Sequence, residues 1–80
     1  MKVGDVVAPK DPARPLMDDC TPYPHAVVCI VTPLILVSED GKARWRRKQQ
    51  HELDVIGQAT PEVMTVCMDR LMRDHKAGRL

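Results

Sequence analysis

Five cations surround the single tryptophan of the sequence. Residues 42–48 include Lys42, Arg44, Arg46, Arg47 and Lys48, with Trp45 among them. Such side chains contact phosphates while an indole stacks on bases, so the segment suits a nucleic-acid contact. It is also typical of a surface that binds an acidic protein, and most of all of a solvated strand whose charges prevent edge pairing while its tryptophan points inward. The candidate binding residues are Lys42, Arg44, Trp45, Arg46, Arg47 and Lys48.

A second group of residues has side chains that bind zinc. Four residues separate Cys20 from His25, three separate His25 from Cys29, and His51 or Cys67 would complete a tetrahedral set. These spacings lack the close pair of common zinc motifs, and Cys29 and Cys67 lie in apolar patterns typical of small core residues. A zinc-dependent module is thus a third alternative, and we predict no metal and no other cofactor.

Catalysis is not indicated. Cys20 follows Asp18 and Asp19, whose negative charges oppose formation of a nucleophilic thiolate. A chain of 80 residues buries too little surface to enclose a large active site as well as a core. We therefore expect a binding protein that is not an enzyme.

Composition indicates one small globular domain. Hydrophobic residues make up 44% and charged residues 29%, and the net charge of +1 gives no general attraction to nucleic acid or membrane. No stretch approaches the ~18 apolar residues of a membrane span, and residues 1–5 do not resemble a signal peptide. Three cysteines fit a reducing compartment. We expect a cytoplasmic protein without membrane contact.

The pattern predicts five short strands. They lie at residues 6–8, 26–32, 34–37, 43–46 and 53–56, with a structureless Pro-rich loop at 9–24 that Leu16, Met17 and Tyr23 pin to the core. Asp40-Gly41 suits a two-residue type I′ turn. The resulting register pairs Leu36 with Trp45 and separates a core face from a solvated face. The core face carries Leu34, Leu36, Ala43 and Trp45, and the other face carries Lys42, Arg44 and Arg46.

A C-terminal helix follows the strands. Thr60 is placed to cap it, Pro61 fits its first position, and Gly78 ends it after Lys76. Its apolar stripe consists of Val63, Met64, Cys67, Met68, Leu71 and Met72. We expect the stripe to dock on the chain's own strands, with dimerisation or a partner groove as alternatives and the oligomeric state open. Residues 1–58 and 59–80 then form a single domain.

Two segments resemble a Src-homology-3-like small β-barrel. They are Lys2-Val3-Gly4-Asp5-Val6-Val7 and Asp40-Gly41-Lys42-Ala43-Arg44-Trp45, and the resemblance covers about residues 2–57. They are similar in style to small barrel proteins of phages, prophages and bacteria. The resemblance implies a five-stranded barrel, and with the helix docked through its apolar stripe we expect a mainly β fold with one helix packed on the barrel. It also implies binding through loops and an open edge.

The resemblance favours one function over another. It implies a phage-type accessory protein that binds and modulates a host or partner protein, in the host cytoplasm where the chain is phage-encoded. The alternative is a nucleic-acid-binding regulator that contacts phosphates through residues 42–48. Prolines replace the glycines that follow the first strand of the related nucleic-acid-binding barrels. Two aromatic residues are also too few for a groove that reads proline-rich peptides.

Overall fold

The protein is mainly β with one C-terminal helix. The computed structural model describes residues 1–47 and 50–79. The strands are β1 (Asp5–Pro9), β2 (Leu16–Asp18), β3 (Thr21–Tyr23), β4 (Ala26–Ile30), β5 (Leu34–Val37), β6 (Arg44–Arg47) and β7 (Leu53–Gln58). A short 3-10 helix (Gln50–Glu52) precedes β7, and the α-helix is α1 (Pro61–Lys76).

Five of the strands form one antiparallel sheet in the order β6-β5-β4-β1-β7. In the described residues β6 and β7 are its two edges, and no pairing joins them into a closed barrel. Asp5 at the start of β1 accepts the Lys2 N–H at 2.8 Å and the Gln58 side-chain amide at 2.6 Å. These bonds, that of Gln58 first, lower the pKa of the Asp5 carboxyl.

The register between β5 and β6 agrees with the prediction. Val37 lies opposite Arg44, and Leu36 lies opposite Trp45. Alternation of side chains along each strand follows from this register, because consecutive residues point to opposite faces of a sheet.

The turn that joins β5 to β6 is not the predicted type I′ turn. Only Gly41 has a positive φ (+74°), whereas a type I′ turn requires one at Asp40 too. Ser38 donates its N–H to the Ala43 carbonyl, and Gly41 donates to the Ser38 carbonyl, so the loop has four residues. The Asp40 carboxylate accepts the Ser38 hydroxyl and the Lys42 N–H. These bonds stabilise the longer loop and lower the pKa of Asp40.

The segment predicted as a structureless loop contains a β-hairpin. β2 and β3 pair antiparallel, with Leu16 opposite Tyr23. Asp19 and Cys20 form its turn at φ values of 51° and 66°. The turn therefore has the left-handed geometry of a tight hairpin without glycine or asparagine to indicate it.

The helix begins and ends where predicted. The Thr60 hydroxyl accepts the Val63 N–H at its start. At its end Gly78 has φ +71° and donates to His75, while Arg79 donates to Asp74, which is a Schellman cap. Within residues 1–47 and 50–79, no helix has the length and apolar character needed to cross a bilayer.

Both faces of the sheet are covered over the central strands β4 and β5, which corrects the expectation of one solvated face there, whereas Arg46 of β6 is exposed as expected. The β2–β3 hairpin covers one face, where the buried cluster includes Leu16, Leu36 and Trp45. Helix α1 covers the other, where Cys67 and Leu71 are buried. The residues of β4 and β5 beneath the helix are Val27, Cys29, Ile35 and Val37. The apolar helical stripe thus docks on the chain's own sheet, as expected, except for Met72, which is 58% exposed.

Candidate functional site

The sheet separates the predicted binding residues onto its two faces. Arg44 and Arg46 lie opposite Val37 and Ile35, on the face covered by α1. Trp45 and Arg47 lie on the face covered by the hairpin, since they alternate with these two arginines. The exposed Lys42 lies in the β5–β6 loop, and Lys48 lies outside the described residues. The six residues therefore do not form one surface.

Trp45 is a core residue, with only 8% of its surface exposed. Its indole N–H donates to the Met17 carbonyl at 2.8 Å. Its ring meets the ring of Tyr23 edge to face, with centroids 5.2 Å apart and an interplanar angle of 72°. This arrangement anchors the hairpin and leaves little of the indole for a base to stack on.

Arg44 belongs to a charge network at the end of the helix. Its Nε lies 3.3 Å from Oδ2 of Asp74, and its guanidinium also donates to the Arg79 carbonyl at 2.9 Å. Arg70 donates its Nε to the same carboxylate oxygen at 2.8 Å. Burial of Asp74 raises the pKa of its carboxyl, but the Arg70 hydrogen bond and the charges of Arg70, Arg44 and Arg79 outweigh burial and lower it.

The same helix also fixes the β5–β6 loop. The Nη1 atom of Arg70 donates to the Gly41 carbonyl at 3.0 Å and to the Lys42 carbonyl at 2.6 Å. A side chain at Gly41 would place its Cβ 2.9 Å from Cγ1 of Val66 and would be strained at φ +74°. The helix and the loop are thus held as one unit by charge-assisted hydrogen bonds and by a close backbone approach.

Cations from this unit and from β6 form a continuous surface, which we call the basic face. It surrounds two adjoining cavities of about 300 and 530 Å³ that share Arg79. The basic face consists of Lys42, Arg44, Arg46, Arg70, Arg73 and Arg79. Two carboxylates, those of Asp40 and Asp74, also line the cavities. The surface is therefore strongly positive although the chain as a whole carries a charge of only +1.

The smaller cavity combines charge with an apolar floor. Ile30, Pro33 and Ile35 line it together with Arg44, Arg46 and Arg79. Sequence reasoning missed the three cations supplied by the helix and its C-terminal extension. Arg70 and Arg73 share one side of a helix, but nothing local indicates that this side adjoins β6.

The cysteines and histidines singled out for zinc are not brought together. Cys20 is exposed at the tip of the hairpin, whereas Cys29 and Cys67 are buried beneath the helix. His25 lies against the Glu39 carboxylate through Nδ1. Among residues 1–47 and 50–79, no three histidine, cysteine or acidic residues are gathered in a way that would hold a metal ion. The alternative zinc module has no assembled site in this part of the chain.

The two buried thiols are also poorly suited to nucleophilic chemistry. Burial raises the pKa of Cys29 to about 12, with smaller contributions from the neighbouring Cys67. Burial likewise raises the pKa of Cys67. Thiols held in the protonated form are weak nucleophiles.

The arrangement of the basic face can hold an anionic group beside an apolar one. Comparisons of the chain with protein-family models, with curated proteins and with solved structures gave no match.

Proposed function

We propose that the chain is a small non-enzymatic binding module that modulates a partner protein by holding an acidic segment of that partner on the basic face. The observation that supports this is the convergence of cations from β6, the β5–β6 loop and the helix end beside an apolar floor. Protein interfaces are enriched in arginine and have an apolar centre within a polar rim. The free thiols within the described residues suit the reducing cytoplasm as the place of binding.

The chemistry of the basic face favours a protein partner over a nucleic acid. Trp45 lies in the core and donates its indole N–H to Met17. Single-stranded nucleic acid is held by aromatic stacking as well as by phosphate contacts, so the stacking component would have to come from elsewhere. An acidic segment with aliphatic side chains instead uses both features of the smaller cavity, its arginines and its floor of Ile30, Pro33 and Ile35.

The test uses charge reversal at exposed positions of the basic face. Arg44 and Arg70 are unsuitable because both bind Asp74, so we choose Lys42→Glu with Arg46→Glu, which leave that network intact. The matched control is Lys2→Glu with Lys76→Glu, which changes net charge equally at exposed positions outside the basic face. The probe is a labelled peptide of alternating glutamate and leucine, followed by anisotropy, with a DNA duplex and a single-stranded RNA in parallel.

We expect the wild-type protein to bind the peptide saturably. The test variant should weaken this binding by about tenfold or more, because each lost charge pair contributes on the order of 1 kcal/mol. The control variant should leave the affinity unchanged. Urea denaturation confirms that both variants fold. The proposal is wrong if test and control bind the peptide alike. It is also wrong if the duplex or the RNA binds more tightly than the peptide, with an affinity that falls steeply as salt rises.

A further inference from the structure

A separate cavity of about 490 Å³ lies where several strand ends meet. Pro9 ends β1, Leu16 begins β2, Arg47 ends β6 and Leu53 begins β7, and all four residues line the cavity. Since Arg47 lies on the hairpin-covered face of the sheet, this strand-end cavity is distinct from the basic face. Its volume falls in the range of about 300–1,000 Å³ found for small-molecule sites.

The floor of the strand-end cavity is apolar. Leu16 is 1% exposed and Leu53 is 7% exposed, so both side chains form a fixed base that offers little surface of its own to a ligand. The half-buried rings of Pro9 and Pro15 also line the cavity and supply apolar surface that a ligand can contact. A ligand that rested on this floor would place an apolar ring or chain there, because a fully polar molecule would lose hydrogen bonds to water without replacing them.

The wall formed by the 10–15 loop is fixed before any ligand binds. The Lys10 N–H donates to the Glu52 carbonyl at 3.0 Å and ties the loop to the segment that precedes β7. The Arg14 N–H donates to the Asp11 carbonyl at 3.0 Å, and the Asp11 carboxylate accepts the Ala13 N–H at 2.9 Å. Prolines within the loop restrict it further. A preformed wall lowers the ordering cost of binding.

The lining carries three cations and two carboxylates. The cations are Lys10, Arg14 and Arg47, the carboxylates are Asp11 and Glu52, and His51 also lines the cavity. Lys10 also lies 3.8 Å from Asp54. Across residues 1–47 and 50–79, no carboxylate lies within 4.0 Å of the Arg14 or Arg47 guanidinium.

We propose that the strand-end cavity binds a small organic phosphate, with the phosphate on Arg14 and Arg47 and an apolar ring against the rings of Pro9 and Pro15. Guanidinium groups bind phosphate through paired hydrogen bonds, and a phosphate has enough oxygens to accept from two arginines at once. This site is independent of the basic face and does not rest on the function proposed for it.

The experiment is an NMR titration of the full chain labelled with ¹⁵N. The probes are AMP, ribose 5-phosphate, inorganic phosphate and adenosine, each added to about 10 mM so that a Kd of about 1 mM is detected. We expect AMP to give saturable shifts at the Leu16 and Leu53 amides and at the Nε groups of Arg14 and Arg47. Ribose 5-phosphate and inorganic phosphate should bind more weakly than AMP because they lack the adenine ring. Adenosine should bind more weakly because it lacks the charged phosphate.

Variants locate the site. Arg14→Gln with Arg47→Gln should weaken AMP binding by at least about tenfold. The matched control, Lys42→Gln with Arg46→Gln, removes the same charge from the basic face and should leave AMP binding unchanged. The single variant Arg14→Gln changes only an exposed loop side chain, so it keeps the test valid if Arg47 proves necessary for folding. The proposal is overturned if AMP causes no saturable shift, if its shifts map to the basic face, or if the two variant pairs weaken it equally.

Discussion

The two covers of the five-stranded sheet are held in place by different forces. The helix is 16 residues long, is capped at both ends, and adds the charge network of Asp74 to its buried side chains. The β2–β3 hairpin has only three residues in each strand. It is attached through buried Leu16, through Tyr23, and through the carbonyl that accepts the Trp45 indole.

The helix and the hairpin therefore differ in how far each depends on its contacts with the sheet. A capped helix satisfies its own backbone groups, whereas an isolated two-stranded hairpin is marginal in water. The hairpin therefore depends on the few side chains that it buries, and the helix depends on apolar burial together with its ion pairs. The basic face is built on the helix cover, and the strand-end cavity adjoins the hairpin cover, so the two proposed sites rest on different supports.

The largest expected difference is in thiol reactivity. Cys20 is exposed on the hairpin, while Cys29 and Cys67 lie beneath the helix with raised pKa values, about 12 for Cys29. Opening the helix cover at a cost of about 3 kcal/mol slows reaction by about a hundredfold. We expect one fast thiol and two slow ones when the native protein reacts with a disulfide reagent. Cys20→Ser should abolish the fast phase, and simultaneous reaction of all three thiols would show that the helix does not shield the sheet.

Truncation of Leu16 should have the next largest effect. Leu16→Ala removes a leucine that is 1% exposed and should lower the free energy of unfolding by about 2–5 kcal/mol in urea denaturation. Met17→Ala, at a neighbouring position that is 46% exposed, is the control and should change stability by less than about 0.5 kcal/mol. Equal effects of the two substitutions would show that the hairpin is not anchored through its buried side.

Local signals in the sequence predicted the elements that carry their own structure. The Asp40-Gly41 pair placed the turn between β5 and β6 and so predicted their register, although the turn is not type I′, and Thr60, Pro61 and Gly78 marked both ends of the helix. The inward position of Trp45 followed from that register. These features depend on contacts between residues close in the chain, for which propensity and spacing are informative.

Features that depend on tertiary contacts were not predictable in this way. The β2–β3 hairpin has strands too short to show a period, and Asp19-Cys20 is an uncommon pair for a left-handed turn. The four-residue loop between Ser38 and Ala43 depends on side-chain bonds from Ser38 and Asp40 and on contact with Arg70. The basic face needs the helix to cross the sheet at one position, and no pattern within either element specifies that position.

Removal of the Asp74 charge should destabilise the helix cover moderately. Asp74→Asn leaves the partly buried guanidinium groups of Arg44 and Arg70 without a counter-charge, and we expect a loss of about 1–3 kcal/mol in urea denaturation. Asp69→Asn removes an exposed charge from the same helix and should have almost no effect. If both substitutions cost the same, the network contributes only general charge balance.

Acid should weaken the helix cover less than the substitution Asp74→Asn does. It should also weaken the helix cover at a higher pH than the hairpin cover. The folded-state pKa values of Asp74 and Asp40 lie below the ordinary value of 3.8, so the unfolded chain takes up protons first as pH falls. The stability that these carboxylates contribute is therefore complete above that value and declines as pH falls towards and below it. The bond from the Trp45 indole to the Met17 carbonyl has no group that titrates in this range.

NMR spectra recorded from pH 6 down to pH 2 distinguish the two covers, since this range begins above the ordinary carboxyl pKa of about 4 and continues below it, where the lowered pKa of Asp74 lies. We expect the Arg70 and Arg44 Nε signals to shift and broaden in the acid part of the range while the Trp45 indole signal keeps its position. Asp74→Asn should remove most of this change at Arg70, because no carboxylate remains to titrate there, and Asp69→Asn should not. Loss of the indole signal at the same pH as the arginine signals would mean that the two covers unfold together, and that the difference in their support has no consequence for the order in which they open.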